Sequence, residues 1–214
     1  MKLVIGVLTV ILAVFVPTNG IASDCRGKVL FEDNFTKADP AWILDPEATV
    51  DNGKLTVKLL AEKSSRSLYQ GDVFPDGTEI CATFRLVSAS ELSDAKDLHY
   101  AGLIFWAKDY QSNHALWVSE VGKFSVLRWL TNDRLLTPIP WQDSAAINKG
   151  IGQVNSLRVS MKGTTAIIYI NGKEVGKVSG QTPEGGNEIG FWVGCAAKSG
   201  CTWEVSNFVV SLPQ

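Results

Sequence analysis

The segment YAGLIFWAKDYQSNHALWVSEVGKFSVLRWLTNDRLLTPIPW, residues 100–141, decides the fold of this chain. It contains Trp106, Trp117, Trp129 and Trp141, which are separated by gaps of 11, 12 and 12 residues. In an antiparallel meander, one short strand and its turn occupy about 8–12 residues. The spacing therefore predicts successive antiparallel strands that each carry one tryptophan.

Strand character extends on both sides of this segment, from about residue 28 to residue 211. The runs are short and rich in Val, Ile, Phe, Tyr and Trp, and turn signals such as Asn171-Gly172 separate them. No sustained helical period occurs, although Ser90–Leu98 has room for one or two helical turns and Pro138–Gly152 is typical of a long loop. Two stacked antiparallel sheets would bury one face of each strand. We therefore expect an all-β jelly-roll sandwich over residues 24–214.

The first 23 residues are typical of a secretory signal peptide. Lys2 precedes the apolar stretch Leu3–Val16, and the small residues of Pro17–Ser23 follow. This stretch is shorter than the roughly 20 residues that a membrane span needs. We expect a secreted or periplasmic protein with no membrane anchor after signal cleavage. The formal net charge of −2, without a basic cluster, argues against nucleic acid as a partner.

Four cysteines in an exported chain predict two disulfides. Cys195 and Cys201 flank a five-residue turn between two strand-like runs, where a hairpin would bring them to bonding distance. Cys25 is then left to pair with Cys81. The alternative, a metal site, is weakly supported, because no Cys-x-x-Cys spacing occurs.

A series of short motifs extends over almost the whole chain after the signal segment. In order they are Phe31–Phe35, Trp42, Asp51–Leu55, Ala101–Phe105, Asn155–Val159, the Asn-Gly hairpin, Ile189–Phe191 and Ser206–Val210. The series resembles the concanavalin A-like lectin/glucanase superfamily, particularly its laminin-G-like and 3-keto-disaccharide hydrolase-like domains. The resemblance implies a jelly roll whose first and last strands pair and whose concave sheet holds carbohydrate.

The resemblance does not extend to catalysis. The glucanase branch carries catalytic carboxylates in a Glu-x-Asp-x-x-Glu strand, and this sequence lacks that pattern. The nearest acids are Glu120 and the loop residues Asp94, Asp97 and Asp109, and none is paired at i, i+2 within a strand as a retaining glycosidase would need. We therefore assign no catalytic residues and expect no cofactor. Calcium is an alternative, because many lectin-like sandwiches bind it near the termini, where Asp33, Asn34 and Asn207 would meet.

Strand alternation assigns the tryptophans to faces. On one strand Phe105 and Trp106 point to opposite sides, and on the next Trp117 lies between Leu116 and Val118. Because the aliphatic residues already supply a core, we expect Trp106 and Trp117 to be reachable by solvent on the concave face. For any single tryptophan, a place in the core is the alternative.

An aromatic row of this kind suits the apolar face of a sugar ring. The expected ligand-binding residues are Trp106, Trp117, Trp129, Trp141, Tyr100, Tyr110, His114, Glu120 and Arg128. The sequence thus favours a lectin-like protein with a glycan ligand. A glycosidase-like hydrolase acting on a sugar derivative and a laminin-G-like protein-interaction module remain as alternatives.

Overall fold

The computed structural model describes residues 25–91, 93–94, 97–196 and 198–214. Fourteen strands make up the regular structure of these residues. Their bounds are β1 Val29–Asp33, β2 Ala48–Asp51, β3 Lys54–Leu59, β4 Ser64–Phe74, β5 Glu79–Ala89, β6 Tyr100–Asp109, β7 Ser112–Ser119, β8 Lys123–Leu130, β9 Arg134–Asp143, β10 Val154–Lys162, β11 Thr165–Ile170, β12 Lys173–Ser179, β13 Asn187–Gly194 and β14 Cys201–Ser211.

The strands form two antiparallel sheets. The eight-stranded sheet has the order β12-β11-β10-β5-β14-β3-β2, with β1 paired to β14, and the six-stranded sheet has the order β4-β13-β6-β7-β8-β9. The first and last strands pair, with Asp33 opposite Phe208, as the resemblance implied. The all-β sandwich predicted from the sequence is confirmed.

The core lies between the two sheets. The six-stranded sheet contributes Leu103, Phe105, Leu116 and Val118, the side chains that strand alternation placed there. Residues of the eight-stranded sheet such as Phe84 meet them in the same cluster. The predicted hairpin also forms, and its Asn171 and Gly172 adopt the positive φ angles of 50° and 76° that a two-residue turn needs.

Both disulfides form as predicted. Cys25 is bonded to Cys81 with a Cα–Cα distance of 5.8 Å, and Cys195 to Cys201 with 5.5 Å. The expected hairpin context of the second bond is wrong, however. Cys195 follows β13 of the six-stranded sheet, whereas Cys201 begins β14 of the eight-stranded sheet, so this bond joins the two layers.

Two local predictions are corrected. Trp141 does not lie in a long loop, because Arg134–Asp143 forms the edge strand β9 and the prolines Pro138 and Pro140 are accommodated there. The described residues between 90 and 98 form no helix.

The predicted signal peptide, residues 1–23, lies outside the described residues. Within the described part of the chain, no helix has the length and apolar character needed to cross a bilayer.

Candidate functional site

An aromatic cluster covers the face of the six-stranded sheet that is turned away from the eight-stranded sheet. We call it the outer aromatic cluster. Its members are Leu68, Tyr100, Ile104, Ala107, Tyr110, Ala115, Trp117, Leu127, Trp129, Trp141 and Trp192. The cluster arises because β6, β7, β8 and β13 each carry apolar residues on both faces, and only one face of each packs between the sheets.

Trp117 lies at the centre of this cluster. Its ring stacks on Tyr100 at a centroid distance of 4.1 Å and on Trp141 at 6.2 Å. Trp192 meets Trp117 edge to face at 4.8 Å, and Trp129 lies 5.7 Å beyond Trp192. The rings therefore form one continuous row, in which edge-to-face and offset contacts are favourable.

The two central rings are nearly covered by their neighbours. Trp117 is 9% exposed and Trp192 is 6% exposed, whereas Tyr100, Trp129 and Trp141 are half-buried. Trp117 is therefore much less exposed than predicted, because the rings of Tyr100, Trp141 and Trp192 cover most of it, and only a small part of it lines a cavity between Tyr100 and Trp141. The rings that face solvent are those at the rim of the cluster.

Two members of this surface were missed from the sequence. Trp192 alternates with the core residue Phe191 on β13, and this alternation was a usable signal. Arg66 on β4 lies over the ring of Trp192 at 4.7 Å and donates a hydrogen bond to the carbonyl oxygen of Tyr110. No sequence pattern singles out Arg66, because its partners come from other strands.

Trp106 lies on the opposite side from its predicted position. The pairing of β6 with β7 shifts register after Phe105, and Trp106 has a φ of 47°. This β-bulge turns the indole into the core between the sheets, where it is 2% exposed. A left-handed conformation at a bulky residue costs about 1–3 kcal/mol, which the surrounding packing must offset.

His114 and Arg128 lie with Trp106 at one end of the sandwich. They line a cavity of about 570 Å³, which we call the sheet-end cavity, together with Trp129 and the segment that follows β12. Burial, and secondarily the Arg128 charge, lower the pKa of His114 to about 4. The imidazole is therefore neutral at physiological pH.

Glu120 does not join either group. It is buried at the other end of β7, where one carboxylate oxygen accepts a hydrogen bond from the backbone N–H of Ser93 at 2.8 Å. Its backbone carbonyl accepts a bond from Gly150. The expectation that Glu120 lies beside the aromatic row as a ligand contact is corrected, since its carboxylate holds a loop instead.

One pair of carboxyl groups does lie near the outer aromatic cluster. Glu188 on β13 pairs with Ala107, a member of the cluster, and Asp109 follows two residues later on β6. Burial raises the pKa of Glu188, and the charge of Asp109 raises it further. A pair of carboxyl groups is the usual minimum for glycosidic chemistry.

The calcium candidates lie at the paired termini, and the carboxylate of Asp33 already has protein partners. The two carboxylate oxygens of Asp33 accept hydrogen bonds from the N–H of Phe35 and the indole of Trp42. The amide of Asn34 donates to Glu32, and Asn207 adopts a φ of 52° at a register shift of β14. Calcium binding there stays a prediction.

A second metal-like group consists of His99, Cys195 and Cys201. The two cysteines are bonded to each other, and the His99 Nδ1 accepts a hydrogen bond from the backbone N–H of Ala196. A disulfide sulfur is a poor metal ligand, because metals bind the thiolate. The disulfide and this hydrogen bond therefore explain why the three side chains lie close together without a metal ion.

Several solved structures share this architecture. A structure from work on endo-acting O-glycanases of the human gut microbiota aligns over 87% of this chain and 100% of its own, with 15% identity and a TM-score of 0.62. The carbohydrate-binding module CBM66 from Bacillus subtilis aligns over 80% of this chain and 95% of its own, with 12% identity and a TM-score of 0.60. An endo-β-1,3-glucanase from Pyrococcus furiosus aligns over 87% of this chain and 94% of its own, with 9% identity and a TM-score of 0.63.

No protein-family model and no curated protein matches the sequence. The three structures give no support to the laminin-G-like expectation. At identities of 9–15% they establish the fold alone. The chain has the concanavalin A-like jelly-roll fold that the order of its motifs predicted.

Proposed function

We propose that this protein is a secreted or periplasmic carbohydrate-binding protein whose glycan contacts the rim of the outer aromatic cluster. The observation that carries the proposal is a cavity of about 350 Å³ in which Tyr100 and Trp141 lie beside Glu62 and Asp97. Ligand sites of this size combine aromatic walls with a few polar groups. The rings suit the apolar face of a sugar, and the carboxylates accept hydrogen bonds from its hydroxyls.

The rings alone are too weak to hold a sugar. Covering roughly 50 Å² of one ring stabilises the complex by about 1.3 kcal/mol at about 25 cal/mol per Å². Two rings then contribute about 2.5 kcal/mol, less than the roughly 4 kcal/mol that millimolar affinity requires. Hydrogen bonds to Glu62 and Asp97 supply the remainder, since a bond to a charged group contributes about 1.5–3 kcal/mol.

Two further observations support the ligand class and the location. The similar structures include a carbohydrate-binding module and an endo-β-1,3-glucanase. The two disulfides suit an oxidising compartment. The predicted signal peptide agrees with export.

Titration of the purified protein with a panel of neutral oligosaccharides, followed by tryptophan fluorescence and calorimetry, tests the proposal. Trp141→Ala should weaken binding about tenfold with little change in melting temperature. The matched control is Tyr169→Ala, which removes a half-buried ring from the eight-stranded sheet, where it stacks under Arg158. If Trp141→Ala and Tyr169→Ala both bind like the parent, the proposed surface is wrong.

A hydrolase is the second candidate, and the coupling of Glu188 with Asp109 favours it. In this mechanism Glu188, whose pKa is raised, acts as the acid that protonates the leaving glycosidic oxygen, and Asp109 attacks the anomeric carbon or activates water. Glucan oligosaccharides incubated with the protein should then release reducing ends, and Glu188→Gln should stop the release. Unaltered oligosaccharides after prolonged incubation would exclude this candidate.

A further inference from the structure

Four buried polar atoms without a hydrogen-bond partner belong to three residues that line the sheet-end cavity. They are the indole Nε1 of Trp106, the side-chain oxygen of Asn113 and both ring nitrogens of His114. These residues are 2%, 3% and 5% exposed, and all three line the cavity. Buried polar groups in native proteins nearly always have a partner. Four such atoms at one cavity indicate that a bound molecule supplies the partners.

The strained backbone at Trp106 fixes the position of its indole N–H, one of the four atoms. Trp106 holds its left-handed conformation at the bulge, and its ring packs edge to face against His114 at 5.3 Å. Gly180 closes on the same indole so tightly that an added Cβ would lie 2.4 Å from the ring carbon Cζ3. The two rings are thus fixed between strands and loop, as a preformed binding site requires.

Charge indicates which ligand fits. Arg128 and Lys108 line the cavity with a single acid, Glu184. Among the described residues, no ion pair within 4.0 Å involves Arg128 or Lys108. A guanidinium without a protein partner binds a carboxylate through two parallel hydrogen bonds. The half-buried ring of Trp129 in the same cavity favours a sugar ring over a small acyclic acid.

We propose that the sheet-end cavity binds a uronic acid unit. Arg128 pairs with the sugar carboxylate, and Trp106, Asn113 and His114 exchange hydrogen bonds with its hydroxyls. A volume of about 570 Å³ lies within the range of small-molecule sites. Because its pKa is about 4, His114 is neutral and offers one donor and one acceptor. This site shares only Trp129 with the outer aromatic cluster and does not depend on the function proposed for that cluster.

The direct test is a titration with sodium D-glucuronate, with D-glucose, malate and matched sodium chloride as comparison arms. Glucuronate should shift the NMR signals of the Trp106 indole N–H and the His114 ring, and glucose should shift neither at the same concentration. Arg128→Gln, an exposed position, should weaken glucuronate binding at least tenfold, equivalent to about 1.4 kcal/mol. Equal shifts from glucose, tighter binding of malate, or an Arg128→Gln variant that binds like the parent would each overturn the proposal.

Two variants distinguish ligand binding from a purely structural role of these side chains. His114→Phe keeps the ring shape and removes the unpartnered nitrogens, so the melting temperature should not fall while glucuronate affinity does. A lower melting temperature with unchanged affinity would assign the imidazole a structural role and overturn its part in binding. Trp141→Ala changes the outer aromatic cluster and should leave glucuronate binding unchanged. Failure of the proposal for the outer aromatic cluster can therefore be distinguished from failure of the proposal for the sheet-end cavity.

Discussion

The two ends of strands β6 and β7 offer different chemistry. At the end near Tyr100, aromatic rings stack on one another, the indole Nε1 of Trp117 is buried without a hydrogen-bond partner, and the charged side chains beside the rings are the acids Glu62 and Asp97. At the other end, buried polar atoms lack partners and the charged side chains beside them are mainly cationic. The difference shows that regular alternation builds an aromatic surface with acids at its rim, whereas the bulge at Trp106 accompanies a cavity with mainly cationic side chains.

The largest expected effect concerns the centre of the aromatic surface. Trp117→Ala should lower the free energy of unfolding by about 3–5 kcal/mol, because the ring is 9% exposed and packed against three other rings. Urea unfolding measures the loss. Trp141→Ala, at the half-buried rim, should cost less than about 2 kcal/mol. Equal losses for both variants would mean that centre and rim do not differ.

The next effect belongs to the sheet-end cavity and depends on pH. The His114 pKa of about 4 lies below the 6.5 of a free imidazole, so between these values the unfolded chain binds a proton that the folded chain does not. Stability is therefore full above about pH 6.5 and falls as the pH drops towards 4, by up to ~3 kcal/mol. His114→Phe should remove this component. If urea unfolding gives parent and variant the same dependence of the free energy of unfolding on pH, the assignment of this component to His114 is wrong.

A smaller effect tests the closure of the sheet-end cavity. Gly180→Ala places a methyl group against the Trp106 ring, and a ring held in a bulge cannot move aside freely. Overpacking of this kind costs about 1–3 kcal/mol. Thermal melts should show the loss, and Ser179→Ala, at the exposed neighbouring position, should not. Neutral-oligosaccharide binding at the outer aromatic cluster should be the same in both variants.

The smallest effect concerns the acid pair. The pKa of Glu188 is raised, so its ionisation opposes folding as the pH rises above the value of a free carboxyl. Glu188→Gln should therefore stabilise the protein at pH 7, by less than about 1 kcal/mol because the group is partly exposed. Asp109→Asn should lower the pKa of Glu188, which carboxyl NMR titration can follow. A Glu188 pKa that does not respond would show that the two groups are not coupled.

The sequence by itself determined the features that depend on local pattern. Residues at alternating positions, such as Leu116 and Val118, entered the core because strand geometry sends successive side chains to opposite faces. The turn at Asn171-Gly172 formed because few other pairs tolerate two positive φ angles. The disulfide pairing predicted from chain spacing and elimination is also confirmed, although the two sheets rather than a hairpin bring Cys195 and Cys201 together.

The tertiary structure alone decided how the candidate site is divided. Trp106 left the aromatic row because a bulge breaks alternation, and the bulge depends on pairing with both neighbouring strands. Trp117 lost its exposure because Trp141 and Trp192 come from strands distant in sequence. His114 and Arg128 became cavity residues only when the segment around Gly180 closed over them. These outcomes depend on long-range register, and local residue preferences do not encode long-range register.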